Sequence, residues 1–334
     1  MSVESRTQTL DNQILLKIRD LKKYFHTPKG LVRAVDGVSF DVNREETLAL
    51  VGESGSGKTT VANVILGRYT ADAGSILYKG YEIGNVPLVK RDLWLRREIQ
   101  VVFQDPATSL NPKKTVKSII ETAIDIHNPG LNKYEKIERL LELMDYVGLT
   151  EDHLFKLPGE LGGGEKQLVA IARALATNPT CLILDESTSN LDVSAQSRIL
   201  KTLLKIQKNK SLTYILITHD LAVVRNISHR TNVMYLGKIM EIASIEELFS
   251  NPLHPYTQML LSSIPTISEE ESKILPKDIE PRGEIPSAIN PPSGCRFRTR
   301  CPFVMKICSE QEPALDEVSQ GHYVACHLLN NSKK

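Results

Sequence analysis

The segment Gly52 to Thr59, GESGSGKT, limits the possible folds of this chain more than any other feature. It follows the apolar run TLALV and precedes a stretch of helical character that runs from Lys58 to a glycine stop at Gly67. Glycines let a backbone curl until its N–H groups converge, and a helix N-terminus adds a positive field at the same point. A strand–loop–helix unit of this kind cradles phosphate oxygens. Lys58 would reach the β- and γ-phosphates of a nucleotide, and the Thr59 hydroxyl would ligate Mg²⁺. Ser54, Gly55, Ser56, Gly57 and Thr60 complete the expected cradle. A glycine-rich surface turn could show the same letters, but it would not need the strand before or the helix after.

A second acidic motif lies downstream in CLILDE. Asp185 ends a buried apolar strand, where a carboxylate can hold Mg²⁺. Glu186 follows it and could polarise an attacking water. Taken alone, an Asp-Glu pair at a strand end is as readily a solvated terminus. Gln104 after Ile99–Phe103 and His219 after Thr213–Thr218 are each ordinary surface or core residues if read singly. Their order along the chain gives them meaning.

The rest of the chain alternates strands and helices, which favours a largely parallel sheet. Residues Ile14 to Val51 read as short strands separated by turns, with partial alternation at Val35, Val38, Phe40 and Val42. A helical region spans about 107–165, with Ile137, Leu140, Leu141, Met144 and Val147 in one apolar stripe. After Phe249 the texture becomes proline-rich, with Pro252, Pro255, Pro276, Pro281, Pro286, Pro291 and Pro292. The expected division is therefore 1–250 and 251–334. No stretch approaches the ~20 apolar residues of a membrane span, and the polar start MSVESRTQTLDNQ lacks a secretory core. A net charge of +1 argues against a nucleic-acid partner.

In sequence and order these motifs resemble ABC-type ATPases, over about residues 14–245. The resemblance implies an α/β P-loop core with an antiparallel β subdomain and an α-helical subdomain, plus a small C-terminal cysteine-bearing module. It implies an ATP sandwich, each nucleotide held between one subunit's P-loop and the other's signature. Here the signature-like stretch is Gly162, Gly163, Gly164 and Glu165. Gln104 is the Q-loop residue, also near Mg²⁺; the D-loop-like SNLD contains Asp192. His219 is the switch histidine, and Tyr24, or else Phe25, stacks on adenine. QDPATSLNP (104–112) and NPLHPYTQMLLSSIP (251–265) resemble the ATPases of oligopeptide, dipeptide and nickel importers. That branch implies a peripheral subunit on the cytoplasmic face of the membrane. Its expected partners are a second, non-identical ATPase, two transmembrane permeases and an extracytoplasmic substrate-binding protein. Residues 104–112 would then transmit motion to the permease. Importers of nickel or other small solutes remain an alternative. DNA-maintenance ATPases insert long coiled coils that this chain has no room for, and ribosome-acting relatives carry two such domains.

The sequence departs from the family where LSGGQ becomes Leu161-Gly-Gly-Gly-Glu165. The missing serine hydroxyl removes a γ-phosphate donor, a contact worth ~1.5–3 kcal/mol. Unequal sites in the assembled dimer are expected. Four cysteines, Cys295, Cys301, Cys308 and Cys326, are spaced C-x5-C-x6-C-x17-C. In a cytosolic chain they read as reduced thiols or ligands rather than disulfides. Wide spacing suits a [4Fe–4S] cluster, which the resemblance also implies. Zinc, with His322 or His327 replacing one cysteine, and no metal at all are the alternatives. Cys181 reads as a small core hydrophobe, and Arg296, Arg298 and Arg300 as a solvated loop.

Overall fold

The computed structural model describes residues 13–189, 191–264 and 283–330. Most of the MSVESRTQTLDNQ start, Asn190, Pro265, Pro276 and Pro281 lie outside the described residues. The chain forms two compact units. One comprises Met1–Asn43, Leu48–Pro87 and Thr218–Lys334, and the other Arg44–Thr47 and Leu88–Ile217.

In the first unit, β1 (Ile14–Thr27) and β2 (Gly30–Asn43) form a long antiparallel hairpin. These are two strands of 14 residues each, not the several short ones expected. Their alternation reads as broken because the register shifts at several bulges, one of them beside Asp20 at φ 46°. With β4 (Ala73–Tyr78) and β5 (Tyr81–Glu82) they make a sheet in the order β2-β1-β4-β5. A second run in this unit places β3 (Thr47–Val51) parallel to β9 (Arg230–Tyr235). Beyond β9 it continues antiparallel through β10 (Lys238–Ser244), β12 (His322–Val324) and β11 (Asp316–Ser319). The C-terminal stretch thus supplies strands to the unit that carries the phosphate loop.

The second unit contains a parallel run of β6 (Ile99–Val102), β7 (Cys181–Asp185) and β8 (Thr213–Thr218). Buried on both faces, β7 and β8 are almost wholly apolar, as parallel strands are. Helices Val116–His127 and Lys133–Val147 form the helical region. The apolar stripe of the latter is Leu140, Leu143, Met144 and Val147, while Ile137 faces solvent. Asn132 caps this helix, with Glu135 closing the box, and Gly148 ends it in the left-handed region at φ 70°. Among the described residues, no helix is long and apolar enough to cross a membrane.

Candidate functional site

The strand β3 is fully buried and delivers the chain to Gly52, after which the loop turns into helix Lys58–Ile65. Gly57, at φ 106°, is required there: a Cβ would lie 2.2 Å from the Ala34 carbonyl oxygen. Ser54 and Gly55 stand at the exposed tip, whereas Ser56 and Lys58 are buried. The Lys58 ammonium donates to the carbonyls of Gly52 (2.7 Å) and Glu53 (2.9 Å) and to Ser56 Oγ (3.2 Å). These are oxygen acceptors of the kind a phosphate would supply, so the cation is already fixed inside the loop. Thr59 is exposed and Thr60 half-buried at the start of the helix. In the same unit, exposed His219 follows β8, and Asp220 caps the helix Leu221–Ile227.

Tyr24 donates from its hydroxyl to Asp36 Oδ1 at 2.5 Å. Burial and this bond push its phenol up to about 12, so it stays protonated. Phe25 packs edge-on against Tyr69 at 5.1 Å.

In the second unit Asp185 closes β7, and Glu186 follows with φ 46°, a conformation that costs a non-glycine residue about 1–2 kcal/mol. Its N–H donates to Ile217 (2.8 Å), and its carbonyl accepts from Ser189 N–H (3.2 Å) and Oγ (2.9 Å). These bonds do not use the Glu186 side chain. Gln104 is exposed beyond β6. Downstream in that loop, the Ser109 carbonyl accepts from Arg173 of the helix Gly163–Leu175.

That helix begins at the glycine cluster. Glu165 Oε2 accepts from Gly162 N–H at 2.9 Å, and its Oε1 lies 3.1 Å from His153 Nε2. The Gly162 hydrogen bond first, then His153, holds this carboxyl below the usual carboxylate range. The added charge of Glu165 is therefore spent on its own helix terminus. Gly164 permits close approach to the next helix, Val193–Lys210, where an added Cβ would sit 3.1 Å from Ala195 Cβ. Asp192 caps that second helix through Ala195 N–H at 2.9 Å. Gly162 to Glu165 and Asp192 border a cleft of about 250 Å³ with Ala195 and Arg198.

The arginines between the cysteines are not a solvated loop. Arg296 and Arg300 are each only 5% exposed. Arg296 pairs with Asp36 (2.5 Å), and Arg300 grips both oxygens of Glu53 (2.6 and 3.0 Å). Arg298 alone is partly solvated, bonded to the Ser293 carbonyl. Glu53 and His153 were given no role of their own from the sequence, and Arg300 was read only as part of a solvated loop. The alternation CRFRTRC is the signal that could have pointed to the arginines.

Cys295, Cys301 and Cys308 are buried and Cys326 nearly so. Burial, with the neighbouring cysteines adding to it, pushes the Cys295 and Cys326 thiols up to about 11 and about 12. Cys326 feels all three of the others, so the four share one neighbourhood. Yet among the described residues no group of three or more His, Cys, Asp or Glu side chains is arranged to hold a metal ion. His322 Nε2 lies 2.7 Å from Glu241, and His327 Nε2 lies 3.0 Å from the Gln311 carbonyl. Cys181 lies in the core as expected, its thiol pushed up to about 12 by burial.

A phosphate loop leading into a helix, and a parallel run ending in Asp-Glu beside a glycine-led helix, define an ATP-binding cassette of the ABC type. Residues 35–189 match the family model described as "ABC transporter", and residues 240–308 match "Oligopeptide/dipeptide transporter, C-terminal region". The chain is 46% identical over 327 residues to the oligopeptide transport ATP-binding protein AppF of Bacillus subtilis, covering 96% of this chain and 99% of AppF. It is 41% identical to OppF of the same organism, covering 93% and 96%. Among solved structures it resembles cbiO1 of Clostridium perfringens, part of the cbiONQ complex, at 29% identity and TM-score 0.63, covering 72% and 92%. It also resembles the cassette MJ0796, in a dimeric post-hydrolysis structure bound to ADP and Pi, at 26% identity and TM-score 0.61, covering 69% and 98%. The chain belongs to the ATP-binding subunits of the oligopeptide/dipeptide ABC transporter family. It is an ATPase.

Proposed function

We propose that this subunit powers the uptake of oligopeptides or dipeptides through separate permease subunits, docked on the cytoplasmic face of the membrane. The observation that carries the reading is the match of residues 240–308 to the peptide-transporter C-terminal region, joined to near full-length similarity to peptide-transport ATPases. Two permeases, a second non-identical ATPase and an external binding protein complete the proposed assembly. Nickel or another small solute is the competing cargo. Uptake of a labelled peptide and of ⁶³Ni²⁺ by proteoliposomes carrying the co-purified complex decides between them. ATP-dependent peptide accumulation supports the reading; nickel accumulation without it refutes the reading.

In this reading Ser54 to Thr60 and Lys58 hold the phosphates, Tyr24 stacks on adenine, and Thr59, Gln104 and Asp185 serve Mg²⁺. Glu186 takes the proton from the attacking water, while His219 positions that water and the γ-phosphate. Lys58 neutralises charge that develops in the transition state, and a Mg²⁺ held by Thr59, Gln104 and Asp185 would supply further positive charge there. Gly162 to Glu165 and Asp192 face the partner's ATP. Lacking the serine hydroxyl, that second site holds ATP but turns it over slowly. The domain assignment is 1–250 for the cassette and 251–334 for the extension.

The four cysteines offer the donor chemistry of a [4Fe–4S] cluster, with zinc as the alternative, although they are not drawn together as a ligand set. Iron and sulfide analysis of anaerobically purified protein tests this. About four of each per chain supports the cluster, and one zinc or no metal excludes it.

A further inference from the structure

We propose that Arg300, with Tyr256, is a positioning residue of the phosphate loop, so that the C-terminal extension sets how tightly this subunit holds nucleoside di- and triphosphates. This rests on the reading of residues 52–59 as the phosphate cradle.

Glu53 is the second residue of that cradle. Its backbone N–H donates to the Tyr256 hydroxyl at 2.9 Å, and its carbonyl accepts from Lys58 Nζ (2.9 Å) and Ser56 N–H (3.2 Å). Its carboxylate is held bidentately by Arg300 at 2.6 and 3.0 Å. Two of the groups that fix Glu53 therefore come from beyond residue 250. They are themselves packed among aromatic rings. Tyr235, Tyr256 and Phe297 pack with ring centroids 4.7–5.4 Å apart. The Arg300 guanidinium lies over Tyr235 at 5.8 Å and Phe297 at 5.9 Å. A stacked guanidinium loses little further freedom on pairing, which makes the grip directional.

A carboxylate in a loop that receives phosphates needs such a partner. Left unpaired, Glu53 would repel the polyphosphate and would be free to compete for the Lys58 ammonium. Arg300 offsets the charge and holds the carboxylate by both oxygens, while the Glu53 carbonyl accepts from Lys58. A second tie runs parallel. Arg296 pairs with Asp36, which accepts from Tyr24 and whose N–H donates to Gly237; the Gly237 N–H donates in turn to Ser56. The extension thus reaches the loop from two sides.

The test uses the full-length chain and fluorescence titration with the trinitrophenyl derivatives of ATP and AMP. Arg300→Met should weaken ATP-analogue binding roughly ten- to a hundredfold and shift AMP-analogue binding by less than about threefold. Adding Glu53→Gln to Arg300→Met should recover most of the loss, since it removes the charge that was left unpaired. Arg300→Lys should fall between, because an ammonium cannot form the bidentate pair. Equal losses for both nucleotides, or additive losses in the double variant, would assign Arg300 a merely structural role and overturn the proposal. Lys58→Ala separates the two readings. If it abolishes ATP-analogue binding while Arg300→Met has no effect, this inference fails and the cradle stands. If it has no effect, the cradle reading itself fails.

Discussion

The imidazole of His254 is 1% exposed, and its Nδ1 accepts from Tyr256 N–H at 3.0 Å. That acceptor role requires Nδ1 to be unprotonated. Burial lowers its pKa to about 4, with Glu241 pulling weakly the other way. An unfolded histidine titrates near 6.5, so between these values the unfolded chain binds a proton that the folded chain refuses. Stability therefore falls as pH drops from about 6.5 towards 4, by on the order of 3 kcal/mol from this group. His322 acts in the opposite sense. Its bond to Glu241 raises its pKa, giving stability below pH ~6.5 that is lost as pH rises through the folded value. His254→Asn, which offers Oδ1 as the acceptor, should flatten the acid-side fall of the thermal midpoint. An unchanged slope between pH 6.5 and 4 would remove His254 as its source.

The helix Gly163–Leu175 begins at the glycine cluster and, through Arg173, holds the loop after Gln104, the two stretches proposed to face the partner's ATP and the permease. At Gly162 an added Cβ would meet only Glu165 Oε2, at 3.7 Å. Gly162→Ser should thus be accommodated, shifting stability by only a few tenths of a kcal/mol in denaturant unfolding. Together with Glu165→Gln it should raise hydrolysis at the partner's phosphate loop in the assembled complex. No rise, with the partner's loop shown to be competent, would count against the missing-donor account. Gly164→Val should destabilise by about 2 kcal/mol, because the space is already taken by Ala195. A loss below about 0.5 kcal/mol would show that the two helices can part freely. Arg173→Met should leave basal ATP hydrolysis intact and lower transport per ATP consumed; unchanged coupling would mean that the Ser109 contact transmits nothing.

The cradle, the Asp-Glu strand end and the glycine-led helix were legible because each is a short contiguous segment whose backbone and chemistry are fixed locally. Arg300 and Glu53 were not, being 247 positions apart and meaningful only once folded together. The long hairpin of β1 and β2 was hidden by bulges that interrupt its alternation. Arg296 and Arg300 carry charge, which in sequence reads as exposure; only their partners reveal burial. Glu165 was half legible, since an acid three positions into a helix suits its terminus, but nothing local announced His153.

At the scale of the whole molecule, the extension and the phosphate loop belong to one compact unit, while Gly162 to Glu165 and Glu186 lie in the other. The proposal of unequal sites rests on residues 52–59, Glu186 and His219 keeping the family pattern while Gly162 to Glu165 depart from it. Disabling Lys58 should hurt transport more than disabling the partner's corresponding lysine, and equal losses would defeat that asymmetry. In the proposed mechanism this chain hydrolyses ATP to drive import, with Glu186 as the base. The most direct measurement is Mg²⁺-dependent ATP hydrolysis by Glu186→Gln in a reconstituted complex whose other site has been inactivated. ATP binding should be retained, with hydrolysis and peptide uptake reduced at least a hundredfold, roughly the weight of a positioned general base. Hydrolysis at the wild-type rate would contradict it.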